Sequence, residues 1–396
     1  MAEHVARFSR RSLLGAAAVG AAGAGLVTAA GAGTRSRESA AAVEPFNGAH
    51  QGGVATVPQA HAALIAVDLR PGHANRAGLA SVLNLWSTDA ARLTQGVPAL
   101  ADTEPELAAP PARLTVTVGV GPEVFTVAGL EAKRPAALQP LPHFTTDRLE
   151  SRWAGGHLLL QICADSLLTV SHACRVLTKN VRSMTTVRWV QRGFRNPPGS
   201  AVPGASMRNL MGQVDGTVNL TTPAQLDRLV WDDGADQSWF AGGTVLVLRR
   251  IRAEMDTWDQ LDRTSKELTV GRRLDTGAPL TGAAESDQPD FTAQVGGITV
   301  IPENAHIALA HHRTEAEQFL RRPYNYDDVP DSGQISDSGL LFLAFARDPA
   351  TQFVPVQQRL ADFDALNPWI TTVGSAVFAI LPGVDEGGVL GEQLLG

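Results

Sequence analysis

Apolar residues fall into short runs whose spacing switches along the chain between a strand-like and a helix-like repeat. Residues 62–69 form a buried apolar run closed by Pro71-Gly72, which predicts a strand. Over 78–94 the apolar positions Leu79, Leu83, Trp86 and Ala90 recur every three or four residues, which predicts a helix. Residues 114–119 alternate and end in a glycine turn, 158–164 read as another strand, 166–181 as a helix and 185–193 as a strand. This order, β-α-β-β-α-β, is that of a ferredoxin-like unit. The second half repeats it, with strands at 244–251, 340–345 and 376–381 and helices at 255–271 and 351–365. One strand is missing from that series, and 297–301 is the best candidate for it. The fold class that follows is α+β: tandem ferredoxin-like units, antiparallel sheets packed as a sandwich, and peripheral helices. The expected domains are 57–220 and 221–396, with the joint between 219 and 242.

Composition narrows this picture. The chain has 396 residues, 44% hydrophobic and 18% charged, enough for two cores and too apolar for disorder. Residues 1–43 stand apart. Arg10-Arg11 precedes an Ala/Gly-rich, weakly apolar run, with no acidic residue between Val5 and Ser36. A twin arginine before such a run predicts a Tat signal, hence partnership with the Tat machinery and an extracellular or cell-envelope destination. The run holds too much glycine and alanine for a strong membrane anchor. A polar linker is expected at 44–56. Residues 1–43 carry five arginines against two glutamates, so their removal takes the formal charge from −7 to −10. That balance disfavours non-specific nucleic-acid binding. The two cysteines, Cys163 and Cys174, lie in apolar surroundings and read as buried thiols more readily than as a disulfide. No C-x-x-C-H is present, which excludes covalent c-type haem.

Three stretches carry chemistry. Arg208-Asn209-Leu210-Met211-Gly212-Gln213-Val214-Asp215-Gly216-Thr217 puts a carboxylate on a glycine turn; alone, an Asp-Gly pair reads as a plain turn. Ile301-Pro302-Glu303-Asn304-Ala305-His306 offers a histidine, and Leu320-Arg321-Arg322-Pro323-Tyr324 a cation. Together they resemble the dye-decolourising peroxidase family, whose G-x-x-D-G signature matches Gly212 to Gly216. The likeness runs from about Gln51 to the C-terminus and takes in Gly156 to Asp165, Gly271 to Leu280, Gly339 to Phe342 and Gly374 to Phe378.

The resemblance implies a non-covalent haem b, one per chain, in the C-terminal half. It implies His306 as the axial iron ligand, with Asp362 or Asp364 holding its other nitrogen, and His311 and His312 as rival ligands. Asp215 is implied as the distal proton relay, working ionised at acid pH, and Arg321 as the distal cation, with Arg322 as the fallback. Gly216, Thr217, Leu340 and Phe342 are implied as further pocket residues. The chain departs from the family's His-x-Arg at Ala308, where an arginine toward a haem propionate is expected, and has Leu274 where a lysine is common. The implied reaction reduces hydrogen peroxide and oxidises dyes or phenols one electron at a time. Bulky reductants then need a surface electron-entry residue, for which Tyr324, Tyr326, Trp258 and Trp369 are candidates. Two other classes stay open: a haem carrier or deferrochelatase-like iron-release protein, and a metal-free binding protein. The oligomeric state is open.

Overall fold

The computed structural model describes residues 42–197, 199–200 and 206–396; the export signal expected in 1–43 lies almost wholly outside them. Among the described residues, no helix is long and apolar enough to cross a membrane.

The first half runs β1 (His61–Leu69), α1 (Arg76–Leu93), β2 (Thr115–Val120), β3 (Leu158–Ala164), α2 (Leu167–Val181) and β4 (Thr185–Phe194). Its strands lie in the order β4-β1-β3-β2, antiparallel throughout. A small hairpin follows, β5 (Met207–Arg208) with β6 (Val214–Asp215). The second half opens with β7 (Thr244–Ala253). The single helix expected over 255–271 is two, α3 (Met255–Trp258) and α4 (Arg263–Val270). The break falls where Asp262 caps α4, its side chain accepting from Ser265 N at 3.0 Å.

The strand expected at 297–301 is not part of the main sheet. Residues Ile298–Thr299 form β9, which pairs only with β8 (Gln294–Val295). After α5 (His306–Ala310) and β10 (Leu320–Arg321), the missing strand is β11 (Tyr324–Asp328). It is followed by β12 (Asp337–Ala346), α6 (Val354–Phe363) and β13 (Ile370–Ile380). The second-half order, β13-β7-β12-β11, repeats the first.

The two sheets do not stack as a sandwich. They meet edge to edge, β2 against β13 and β4 against β11, and every strand of this nine-stranded sheet but β10 lies in one closed ring. Closure removes the unpaired edges that two open sheets would expose. The segment expected as a linker fastens one seam. Gln51 Nε2 donates to Val118 O and Leu381 O, both at 2.8 Å, and its Oε1 accepts from Val118 N. Phe46 and Val54 beside it are buried.

Period-2 alternation then decides which residues face what. Leu64, Leu246, Leu248, Tyr324, Tyr326, Leu341, Leu343 and Phe378 point into the barrel and form its core. Ile65, Val67, Leu158, Leu160 and Val118 point outward beneath α1 and α2. On β12 the outward set is Leu340, Phe342 and Ala344. Phe342 packs with Phe319 and Phe353 beside α6. This outer face of the second half carries the site.

Candidate functional site

Asp215 sits at the end of the β5–β6 hairpin, where Met207 pairs with Asp215 and Arg208 with Val214. The next residue, Gly216, has φ +116, a conformation that L side chains rarely adopt, which explains glycine there. Arg208 holds the hairpin to its neighbour, donating to the carbonyls of Gly212 (2.8 Å), Leu274 (2.5 Å) and Asp275 (2.8 Å).

Arg321 reaches Asp215 from β10, Nη1 to Oδ1 at 3.3 Å, with side chains 24% and 17% exposed. β10 pairs antiparallel with β12, Arg321 opposite Ala344 and Leu320 opposite Phe345. Arg321 therefore shares the outward face with Phe342 and Leu340, while Arg322 turns the other way. Arg322 is buried and donates to Thr56 O and Gln59 Oε1. It is a structural cation, so Arg321 is the arginine of this site. Asn219, unassigned from sequence, fixes Arg321's backbone from both sides. Its Oδ1 accepts from Arg321 N at 2.9 Å and its Nδ2 donates to Arg321 O at 2.7 Å. An asparagine four residues past the signature aspartate was the only available hint.

His306 is the first residue of α5, which packs on α6. Asp364 follows α6 directly, and its Oδ2 lies 2.6 Å from His306 Nδ1. Asp364 Oδ1 accepts from Leu366 N, and Ala365 N donates to Asn304 O, so both segments are fixed to each other. Asp362 is exposed and bonds Gln358 instead. Burial opposes the charged imidazole, but the Asp364 charge and hydrogen bond outweigh it; Asp215 adds to the rise and Arg321 opposes it. The His306 pKa is accordingly raised. Asp215 and Arg321 are thus among the charges that bear on His306. With Nδ1 occupied, Nε2 makes no hydrogen bond among the described residues, and the side chain is 34% exposed. A lone imidazole so oriented suits an iron whose other ligands come from a macrocycle.

Other expectations fall into place or fail. Leu340 and Phe342 are partly exposed on the site's face, as apolar lining requires. Thr217 gives its hydroxyl to Glu285 at 2.8 Å. Ala308 is buried with Ile301 and Ala305, and Arg313 Nη2 donates to its carbonyl at 3.2 Å. His311 stacks on His312, its centroid 4.7 Å away, beyond the end of α5. Cys163 and Cys174 are both free and buried. Tyr324 and Tyr326 are fully buried inside the barrel, so neither is a surface electron-entry residue. Their alternation on β11, invisible until that strand is placed, is the reason.

Two family models cover most of the chain: Dyp-type peroxidase, N-terminal, over residues 51–195, and Dyp-type peroxidase, C-terminal, over 206–385. A dye-decolorizing peroxidase of Thermobifida fusca is 42% identical over 332 residues, 81% of this chain and 76% of its own. A deferrochelatase of Yersinia pestis is 35% identical over 372 residues, 89% of this chain and 85% of its own. Among solved structures, a DyP-type peroxidase from Cellulomonas bogoriensis matches with TM-score 0.88 and 50% identity, covering 90% of this chain and 99% of its own. Ferric DtpA from Streptomyces lividans matches with TM-score 0.87 and 38% identity, covering 90% and 98%. Matched along both halves by these models and by relatives of this identity, the chain belongs to the Dyp-type peroxidase family.

Proposed function

We propose that this chain is a haem peroxidase in which His306 would ligate the iron, Asp215 serves as the acid–base toward peroxide and Arg321 as the cation beside it. The observations that carry the reading are the Asp364-held imidazole of His306 and the ion pair of Asp215 with Arg321, whose charges both bear on that imidazole. The residues fit a haem: a free Nε2, an apolar lining from Leu340 and Phe342, and one ligand instead of a cluster. Bound haem supplies the iron at which peroxide is reduced and the oxidising equivalents later returned to substrate.

His306 would hold the haem iron through Nε2, while Asp364 accepts the Nδ1 hydrogen bond and keeps the ring basic. Asp215 takes the proton from one peroxide oxygen and delivers it to the other, a step within reach of a carboxylate at this position. Arg321 offsets the negative charge that develops as the O–O bond opens. Leu340 and Phe342 exclude water from the reacting atoms. Asp215→Asn should lower the second-order rate with hydrogen peroxide about 10²–10⁴-fold while leaving haem bound. An unchanged rate in stopped-flow absorbance would remove Asp215 from this role.

Bulky dyes and phenols react at the surface, and the route inward is through two tryptophans. Trp369 is half-buried and lies edge-on to buried Trp258, with ring centroids 5.6 Å apart. Trp258 Nε1 donates to Met211 O, and the pair packs on Ile307 and Leu366, neighbours of the His306 side. The N-terminal twin arginine supports export by the Tat route. Replacing Arg10 and Arg11 with lysine should leave the protein in the cytoplasmic fraction; unimpaired export would count against it.

A second reading, release of iron from haem, is favoured by the deferrochelatase relatives. It predicts that Asp215→Asn and Arg321→Leu leave function intact, the opposite of the peroxidase.

A further inference from the structure

The turn that carries Asp215 is held by polar anchors and little packing. Gly216 faces open space, and Val218 is 56% exposed. One anchor is already in view: Arg321 and Asn219 grip the far side of the turn, through Val218 O and the Arg321 backbone. The other lies at the hairpin's base. Thr217 Oγ1 donates to Glu285 Oε1 at 2.8 Å, and Ser206 Oγ donates to the same oxygen at 2.5 Å. Ser206 precedes β5 and Thr217 follows β6, so one carboxylate oxygen gathers both chains where the hairpin opens.

Glu285 can serve as an anchor because its own segment is fixed. Arg272, itself buried, donates to Glu285 O at 3.0 Å and Gly277 O at 2.7 Å. Asp287 accepts from Ala283 N and Ala284 N at 2.8 and 2.9 Å. The same segment receives Arg208 through Leu274 O and Asp275 O, so residues 272–287 hold the hairpin at both tip and base.

We propose that Glu285 is a positioning residue for the reaction with peroxide: it clamps the Asp215 hairpin closed through Ser206 and Thr217, and so holds the Asp215 carboxylate where the proton must pass. The proposal rests on the reading of Asp215 as the distal acid–base. Two hydroxyl donors on a carboxylate are charge-assisted bonds, and with Gly216 facing open space and Val218 exposed the turn offers little packing beside them.

Hydrogen exchange of the haem-loaded protein, read by mass spectrometry over residues 206–220, tests the clamp without using activity. Glu285→Ala should speed exchange there on the order of tenfold, leaving peptides of α1 unchanged. Glu285→Gln, which keeps an acceptor oxygen, should stay near wild type. Thr217→Val, which removes one donor and leaves Glu285 in place, should loosen the same peptides if Glu285→Ala does not fold. In stopped flow, Glu285→Ala should slow the peroxide step and spare the later oxidation of a dye; Glu285→Gln should restore it. Unchanged exchange in both Glu285→Ala and Thr217→Val, or equal loosening by Glu285→Gln, would overturn the proposal. An Asp215→Asn variant of normal peroxide rate counts against the acid–base reading alone, since the exchange experiment judges the clamp independently.

Discussion

Asp364 decides what His306 can do. With its Nδ1 committed at 2.6 Å to a carboxylate that is 1% exposed, the imidazole presents Nε2 outward and has one tautomer available when neutral. In the haem-free protein the same pair links stability to pH. The His306 pKa is raised on folding above its ordinary 6.5, so the stabilisation is fully present below 6.5 and fades as pH rises through the higher folded value. The melting-temperature gap between apoprotein and its Asp364→Asn variant should therefore narrow with rising pH across neutrality. A gap that widens would contradict the pairing. At this scale the sequence was largely legible: Asp215, His306 and Arg321 were each picked from the stretch around them. The choice between Asp364 and Asp362 was not, because both lie at one helix end and only the turn after α6 separates them. Glu285 was out of reach, sitting in a Gly/Ala-rich turn whose contact with Thr217 depends on distant chain folding.

Elements set which face each residue shows. Arg321 and Arg322 are neighbours in sequence with opposite tasks because β10 is extended: one side chain meets Asp215, the other is buried against Thr56 and Gln59. The same alternation on β11 buries both tyrosines and leaves Trp258 and Trp369 as the remaining candidates for a route for electrons. Trp369→Phe should cut turnover of a bulky dye about tenfold or more, since phenylalanine is too hard to oxidise to relay an electron as the indole would, while the peroxide rate stays unchanged. Dye turnover unchanged from wild type in both Trp369→Phe and Trp258→Phe would remove the pair from that role. β11 escaped sequence reading because Tyr324-Asn325-Tyr326-Asp327-Asp328 has no aliphatic residue to mark a strand. The alternation is there, but its apolar members are tyrosines in a motif already read for its arginines. The helix over 255–271 was overextended because its apolar spacing continues through Leu261, across the break that the Asp262 cap imposes.

For the whole molecule, duplication was visible and closure was not. The repeated β-α-β-β-α-β order lies in local periodicity, whereas the meetings of β2 with β13 and β4 with β11 are made by residues far apart in sequence. Gln51 at one seam shows why a polar, glycine-containing stretch resembled a linker: its side chain replaces the hydrogen bonds that a longer ladder would have supplied. The barrel gives the second half a continuous wall, and Leu340, Phe342 and Arg321 share its outer face. The central claim is that this face holds haem through His306 and reacts there with peroxide. The most direct test is the absorption spectrum of protein expressed with haem supply, before and after one equivalent of hydrogen peroxide, beside its His306→Ala variant. The account predicts a Soret band that shifts promptly with peroxide, and a variant whose band is lost or strongly altered. A Soret band indifferent to peroxide, or one unchanged in the His306→Ala protein, would contradict it.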